Sequence, residues 1–109
     1  MAISVTNSGT LSASTSEQTL GASRTDGKTY VLQVDLNNMA AGDVVEIRAK
    51  AKVLTGSTER VIYKATFANA QGYPVVQTPP IPAPYQVTFT LKQPTGTSRD
   101  FDYALMSLD

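Results

Sequence analysis

Apolar and polar residues alternate along most of this chain, with the period of strands that bury one face. From Tyr30 to Leu36, the residues Tyr30, Leu32, Val34 and Leu36 fall on one side, and Gln33 and Asp35 on the other. From Asp43 to Leu54, Val45, Ile47, Ala49, Ala51 and Val53 alternate with Glu46, Arg48, Lys50 and Lys52. A helix would scatter those charges around its circumference, whereas a strand gathers them on one face. After the turn Thr55-Gly56-Ser57 the pattern resumes as Val61, Tyr63, Ala65 and Phe67. The two runs therefore predict a hairpin with Ala51 opposite Val61, Ala49 opposite Tyr63 and Val45 opposite Phe67, small residues meeting large ones. Further on, Tyr85, Val87, Phe89 and Leu91 alternate with Gln86, Thr88, Thr90 and Lys92. A turn over Pro94–Ser98 precedes a last strand with Phe101, Tyr103 and Leu105 on one face and Asp100, Asp102 and Ala104 on the other.

Shorter strands are expected over Ile3–Thr6 and Gln18–Ala22, the second joined to the Tyr30 strand by the hairpin signal Asp26-Gly27. Asn37 to Ala41 allows one helical turn, ended by Gly42. Residues 7–16 are rich in Ser, Thr and Gly and read as a mobile loop or arm. Residues 73–84, YPVVQTPPIPAP, hold four prolines between Val76 and Tyr85 and form a proline-rich crossover, excluded from the interior of a sheet. The expectation is an all-β chain, one domain over residues 1–109, folded as an antiparallel β-sandwich or jelly roll of about seven to eight strands.

Composition narrows the chemistry. The 109 residues contain no cysteine, which removes disulfides and thiolate metal sites, and no histidine, which removes the usual general base and the commonest transition-metal ligand. Nine basic side chains balance nine acidic ones, without the basic excess that binding to nucleic acid normally leaves. No apolar run approaches the roughly 18 residues of a membrane-spanning helix, and the first sixteen residues lack the basic and apolar regions of a secretory signal. No serine lies in a nucleophile elbow and no glycine run matches a phosphate loop, so no enzyme is expected.

Three surface features remain. Asp100 and Asp102 stand about 7 Å apart along one strand face, enough to contribute to a calcium site if a neighbouring loop added oxygens, or simply to form a solvated face beside Arg99. Arg48, Lys50 and Lys52 make a basic stripe, which the expected hairpin extends with Arg60 and Lys64. Such a stripe suits an acidic partner surface, and equally suits a solvated face whose lysines discourage aggregation, with Glu46 and Glu59 diluting it. The arm Pro79, Pro80, Ile81 and Pro82 is stiff and partly apolar, so it would lose little entropy on docking against a neighbouring subunit, or serve only as a rigid crossover.

The blocks SEQTLGASRTDGKTYVLQVDL, AAGDVVEIRAKAKVL, VIYKATFANAQ and YALMSLD, which together run through most of the chain, resemble those of small virion structural proteins of tailed bacteriophages. The resemblance implies a β-sandwich subunit made in the bacterial cytoplasm and assembled on the virion. Its commonest role would be capsid decoration, as a homo-oligomer, often a trimer, held on the major capsid protein. A tail-tube, head–tail connector or fibre-associated module is the alternative within the virion. A carbohydrate-binding sandwich is the alternative outside that class. No cofactor, nucleic-acid or membrane partner is implied.

Overall fold

The computed structural model describes residues 2–108. Among the described residues nine strands follow one another without a helix: β1 (Ile3–Ser12), β2 (Gln18–Thr19), β3 (Thr29–Asp35), β4 (Val44–Lys52), β5 (Arg60–Ala68), β6 (Val75–Gln77), β7 (Ile81–Pro82), β8 (Gln86–Thr95) and β9 (Asp100–Leu108). They form two antiparallel sheets. Sheet A has the order β1-β9-β3-β6, with β7 also paired to β3; sheet B has the order β2-β8-β4-β5.

β6 and β7 lie along the same edge of β3, separated by Thr78-Pro79-Pro80, and act as one interrupted strand. Thr78 bridges the break: its N–H donates to the Leu32 carbonyl, and its Oγ1 accepts the Leu32 N–H at 3.0 Å. The chain then has eight strand positions, and the pairings run first with last, second with second-last, third with third-last, around the central β4–β5 hairpin. One long antiparallel strip, rolled so that alternate pairs fall in opposite sheets, gives this order; the fold is a jelly roll.

Alternation fills the space between the sheets. Tyr30, Leu32 and Val34 from β3, Val45, Ile47 and Ala49 from β4, Val87, Phe89 and Leu91 from β8, and Phe101 and Leu105 from β9 form one continuous core. The β4–β5 register matches the expected one at Val45–Phe67 and Ala49–Tyr63. It then departs: Ile62 is an extra residue in β5, so Ala51 opposes Arg60, and Val61 opposes Lys50. A bulge of this kind puts two residues against one and throws later side chains to the other face.

Three further expectations are corrected. Residues 7–12 are not a loop: they continue β1, which pairs with β9 as far as Ser12↔Asp100. Their hydroxyls find partners on the neighbouring strand, Thr10 donating to Asp102 at 2.6 Å and Ser12 to Asp100 at 2.8 Å. Asp26-Gly27 does not close a hairpin, because β2 and β3 lie in different sheets; the dipeptide turns the crossover, and Asp26 accepts the Tyr30 hydroxyl. Asn37–Ala41 forms turns, Met39 N–H to Leu36 and Asp43 N–H to Ala40, in place of a helical turn.

At one end of the roll the sheets are tied by a buried carboxylate. Asp43, at the entry to β4, accepts the Ala40 N–H (2.9 Å), the Thr97 N–H (3.1 Å) and Arg99 Nε–H (2.9 Å), the last from the turn into β9. These donors, the Ala40 N–H foremost, hold its carboxyl below the usual carboxylate range against the opposing effect of burial. Gly96 makes the approach possible. A Cβ there would lie 2.1 Å from Asp43 Oδ1 and 2.7 Å from its Cα, and φ is +105°, a region that side chains rarely adopt.

Candidate functional site

The sheets leave two outer faces with different chemistry. On sheet B, Glu46, Arg48, Lys50 and Lys52 all face outward from β4, as their alternation predicts, with Lys64 opposite Arg48 and Lys92 opposite Glu46. The stripe is not a free cationic surface. Lys50 donates to Glu17 at 2.7 Å, Lys64 lies 3.0 Å from Glu46, and Arg48 lies 3.6 Å from Glu46 and 3.9 Å from Glu17. Glu17 also accepts the Thr90 hydroxyl at 2.6 Å, and Glu59 accepts from Thr88 (2.7 Å) and Gln86 (3.0 Å). Hydrogen bonds from Lys50 and Thr90 lower the Glu17 carboxyl, and the hydrogen bond from Lys64 lowers that of Glu46. Arg60 does not join the stripe. The bulge sets it opposite Ala51, out of phase with Lys50 and Lys52.

Sheet A turns outward a face divided across its strands. One half is apolar: Ile3 and Val5 on β1 oppose Leu108 and Met106 on β9, and Met106 opposes Val31 on β3. Ile3 and Val5 are 63% and 61% exposed, whereas Val31 is only 4% exposed although it stands outside the core between the sheets. Val31 is thus covered on the outer face itself. The other half is acidic, with Asp35 opposite Asp102 and Asp100 two residues along β9. Thr10 and Ser12 occupy Asp102 and Asp100 as hydrogen-bond donors. Among the described residues no group of three carboxylates or other ligands converges on a cation-sized point, so the calcium reading of Asp100 and Asp102 gains no support from the geometry.

The proline arm divides in the same way. Pro79, Pro80 and Pro82 are exposed, but Ile81 is buried in the core and is withdrawn from any contact surface. Its inward turn follows from its pairing with Tyr30, another inward residue. Between β5 and β6, the sheet edges on that side, lies a small open cleft lined by Leu32, Ile47, Tyr63, Phe67, Val76 and Thr78 among others. Its lining is mostly apolar and carries no carboxylate, amine or guanidinium, so it offers no acid–base chemistry.

Comparison with protein-family models, with curated proteins and with solved structures finds no match to this chain. The surfaces must therefore be read from their own chemistry. Sequence periodicity missed the apolar half of sheet A, although it left a signal: Tyr30-Val31-Leu32 and Leu105-Met106 break strict alternation with neighbouring apolar residues. Such breaks mark strands covered on both faces.

Proposed function

We propose that the protein is a non-catalytic structural subunit of a tailed-phage virion, acting as a capsid decoration protein that stabilises the head by contact with the major capsid protein. The phage part of this reading rests on the resemblance of the sequence blocks. The fold supports it at the level of class, since jelly rolls are used for capsid subunits as well as for lectins, and fold alone does not assign function. The observation that carries the contact mechanism is the apolar half of sheet A, where Ile3 and Val5 remain open beside Met106 and Leu108. A partner covering that row would remove apolar surface from water at about 25 cal/mol per Å². The exposed Pro79, Pro80 and Pro82 extend the surface with residues that lose little freedom on docking.

The test is reconstitution. Purified protein added to particles that lack it should bind saturably at symmetric positions on the head and raise the temperature at which the heads rupture. Absence of binding, together with absence of the protein from mature virions by mass spectrometry, would overturn the reading. Binding confined to the neck or tail would move the subunit to the tail-tube or connector role.

A second reading is favoured by one observation. Tyr73 is 92% exposed in the turn before β6, an aromatic platform of the kind that sugar rings stack against. A glycan array with wild type and Tyr73→Ser examines it: a specific signal lost in the variant supports a carbohydrate-binding role.

A further inference from the structure

Each sheet has two edges, and three of the four carry features that discourage pairing with another strand. The β6/β7 edge is broken by prolines at 79, 80 and 82. β2 is only two residues long. β5 carries Arg60 and Lys64 and the bulge at Ile62. Short strands, prolines, charges and bulges are the common means by which proteins keep sheet edges apart. β1 is different. It is ten residues long, seven of them exposed, and it contains neither a charge nor a proline. The first charged residue of the chain is Glu17. β1 does have a bulge at Thr6, but Asn7–Ser12 beyond it runs in unbroken register against β9.

We infer that the Asn7–Ser12 edge of β1 pairs with the same edge of a second copy of this chain, antiparallel about a two-fold axis, joining two A sheets into one continuous sheet. The inference concerns self-association and is independent of the virion assignment. Three arguments favour a second copy as the occupant. Antiparallel edge pairing about a two-fold axis is self-complementary, so the same groups serve both partners. With the outer faces on the same side, the outward residues Ser8, Thr10 and Ser12 meet one another, so hydroxyls face hydroxyls and no like charges are opposed. The nearest charges, Asp100 and Asp102 on β9, would stand three strand spacings from their counterparts, about 14 Å. That exceeds the Debye length of about 10 Å at 0.1 M salt, so their repulsion is largely screened. The zero net charge of the chain also leaves no long-range repulsion between copies.

A single strand pair roughly 20 Å long covers less surface than the about 800 Å² per partner of a standard stable interface. The dimer should therefore be weak, with a dissociation constant on the order of 100 μM, as suits an interface at the low end of the size range. Pairing at this run leaves Ile3 and Val5, beyond the bulge, uncovered.

Sedimentation equilibrium from 10 μM to 1 mM provides the test. The wild-type chain should pass from monomer to dimer, with little change between 50 mM and 500 mM salt. Ser8→Lys and Thr10→Lys should each weaken dimerisation at least tenfold, while Val75→Lys, the same change on the proline edge, leaves it unaltered. Circular dichroism melts at 10 μM identify variants whose monomer is intact. Amide hydrogen exchange should slow in residues 7–12 with rising concentration and not in 75–82. A monomer at 1 mM, a trimer, or a folded Ser8→Lys chain that dimerises like wild type would each overturn the inference.

Discussion

On the outer face of sheet B, Glu17 lies between Lys50 and the Thr90 hydroxyl, Glu46 between Lys64 and Arg48, and Glu59 against Thr88 and Gln86. On the outer face of sheet A, Ile3 and Val5 lie beside Leu108 and Met106, Met106 lies beside a covered Val31, and three aspartates occupy the far half. Each face belongs to a strand system with the same inward alternation, so the core does not explain the difference. What differs is where each face finds its partners. Sheet B pairs most of its charges within the chain, Lys52 excepted, and a second molecule would have to disrupt existing hydrogen bonds to use the paired ones. Sheet A leaves Ile3 and Val5 uncovered among the described residues. Charge attracted notice in the sequence, but charge already paired is a poor contact surface, and the uncharged face is the more available one.

The largest effect tests whether the two faces depend on a common frame. Asp43→Asn keeps the size of the side chain but presents an amide to the Arg99 and backbone donors that the carboxylate now accepts. It should lower the melting temperature by roughly 10 °C or more. Gly96→Ala should act in the same direction through its clash with Asp43. Because Asp43 ties the start of β4 to the turn before β9, amide exchange should accelerate in both sheets. Acceleration in one sheet alone would show that the sheets are held independently.

The next effect separates apolar from polar coverage. Val31→Ala removes two buried methyl groups and should cost about 2 kcal/mol in urea unfolding. Thr90→Val on sheet B loses one hydroxyl to Glu17 and should cost about 1 kcal/mol. Equal costs would remove the contrast between a face packed by apolar side chains and one satisfied by hydrogen bonds.

Acid titration is a smaller probe of sheet B. The folded-state carboxyls of Glu17, Glu46 and Asp43 all lie below their ordinary values of 4.5, 4.5 and 3.8. A depressed carboxyl contributes stability that is complete above its unfolded value and is lost as pH falls through the folded one. Stability should therefore be level from neutrality to about pH 5.5 and fall progressively below about pH 4.5. Glu17 and Glu46 are partly solvated, so each contributes no more than about 1 kcal/mol. The double variant Glu17→Gln/Glu46→Gln should retain only the lower part of the acid limb, due to Asp43 and to Asp26, whose carboxyl the Tyr30 hydroxyl also lowers. An unchanged limb would mean that the sheet B ion pairs add nothing to folding.

The inward residues of β4 from Val45 to Ala49, of β8 from Val87 to Leu91 and of β9 at Phe101 and Leu105 were legible from their spacing, whereas Val53 and Tyr85, at the ends of those patterns, lie outside the strands and are exposed. The β4–β5 register was legible only up to the bulge, since nothing in VIYKA marks Ile62 as an extra residue. The second half of β1 was hidden because NSGTLS carries almost no apolar signal. It is a strand because β9 supplies its backbone partners and its aspartates supply partners for the hydroxyls. The Asp43 tie brings together residues 40, 43, 97 and 99, and no local pattern announces contacts at that separation. The outward placement of Arg48, Lys50 and Lys52 on β4 was legible, but neither the bulge that removes Arg60 from the stripe nor the pairing with Glu17, remote in sequence, was.

The smallest effect on stability should come where the functional consequence is greatest. Ile3→Ser and Val5→Ser exchange exposed side chains, so each should change unfolding free energy by no more than about 0.5 kcal/mol. Lys52→Gln on the sheet B face should be equally mild, since Lys52 has no ion-pair partner among the described residues. The three variants then make a matched set in which folding is constant and only the outer surface differs. If the apolar half of sheet A carries the contact, the Ile3→Ser/Val5→Ser double variant should lose at least tenfold in affinity for particles lacking the protein, because two apolar anchors at the centre of a contact together exceed 1.4 kcal/mol. Lys52→Gln should bind as wild type. The reverse pattern would transfer the contact to sheet B, and with it the conclusion that the unpaired cation matters more than the apolar row.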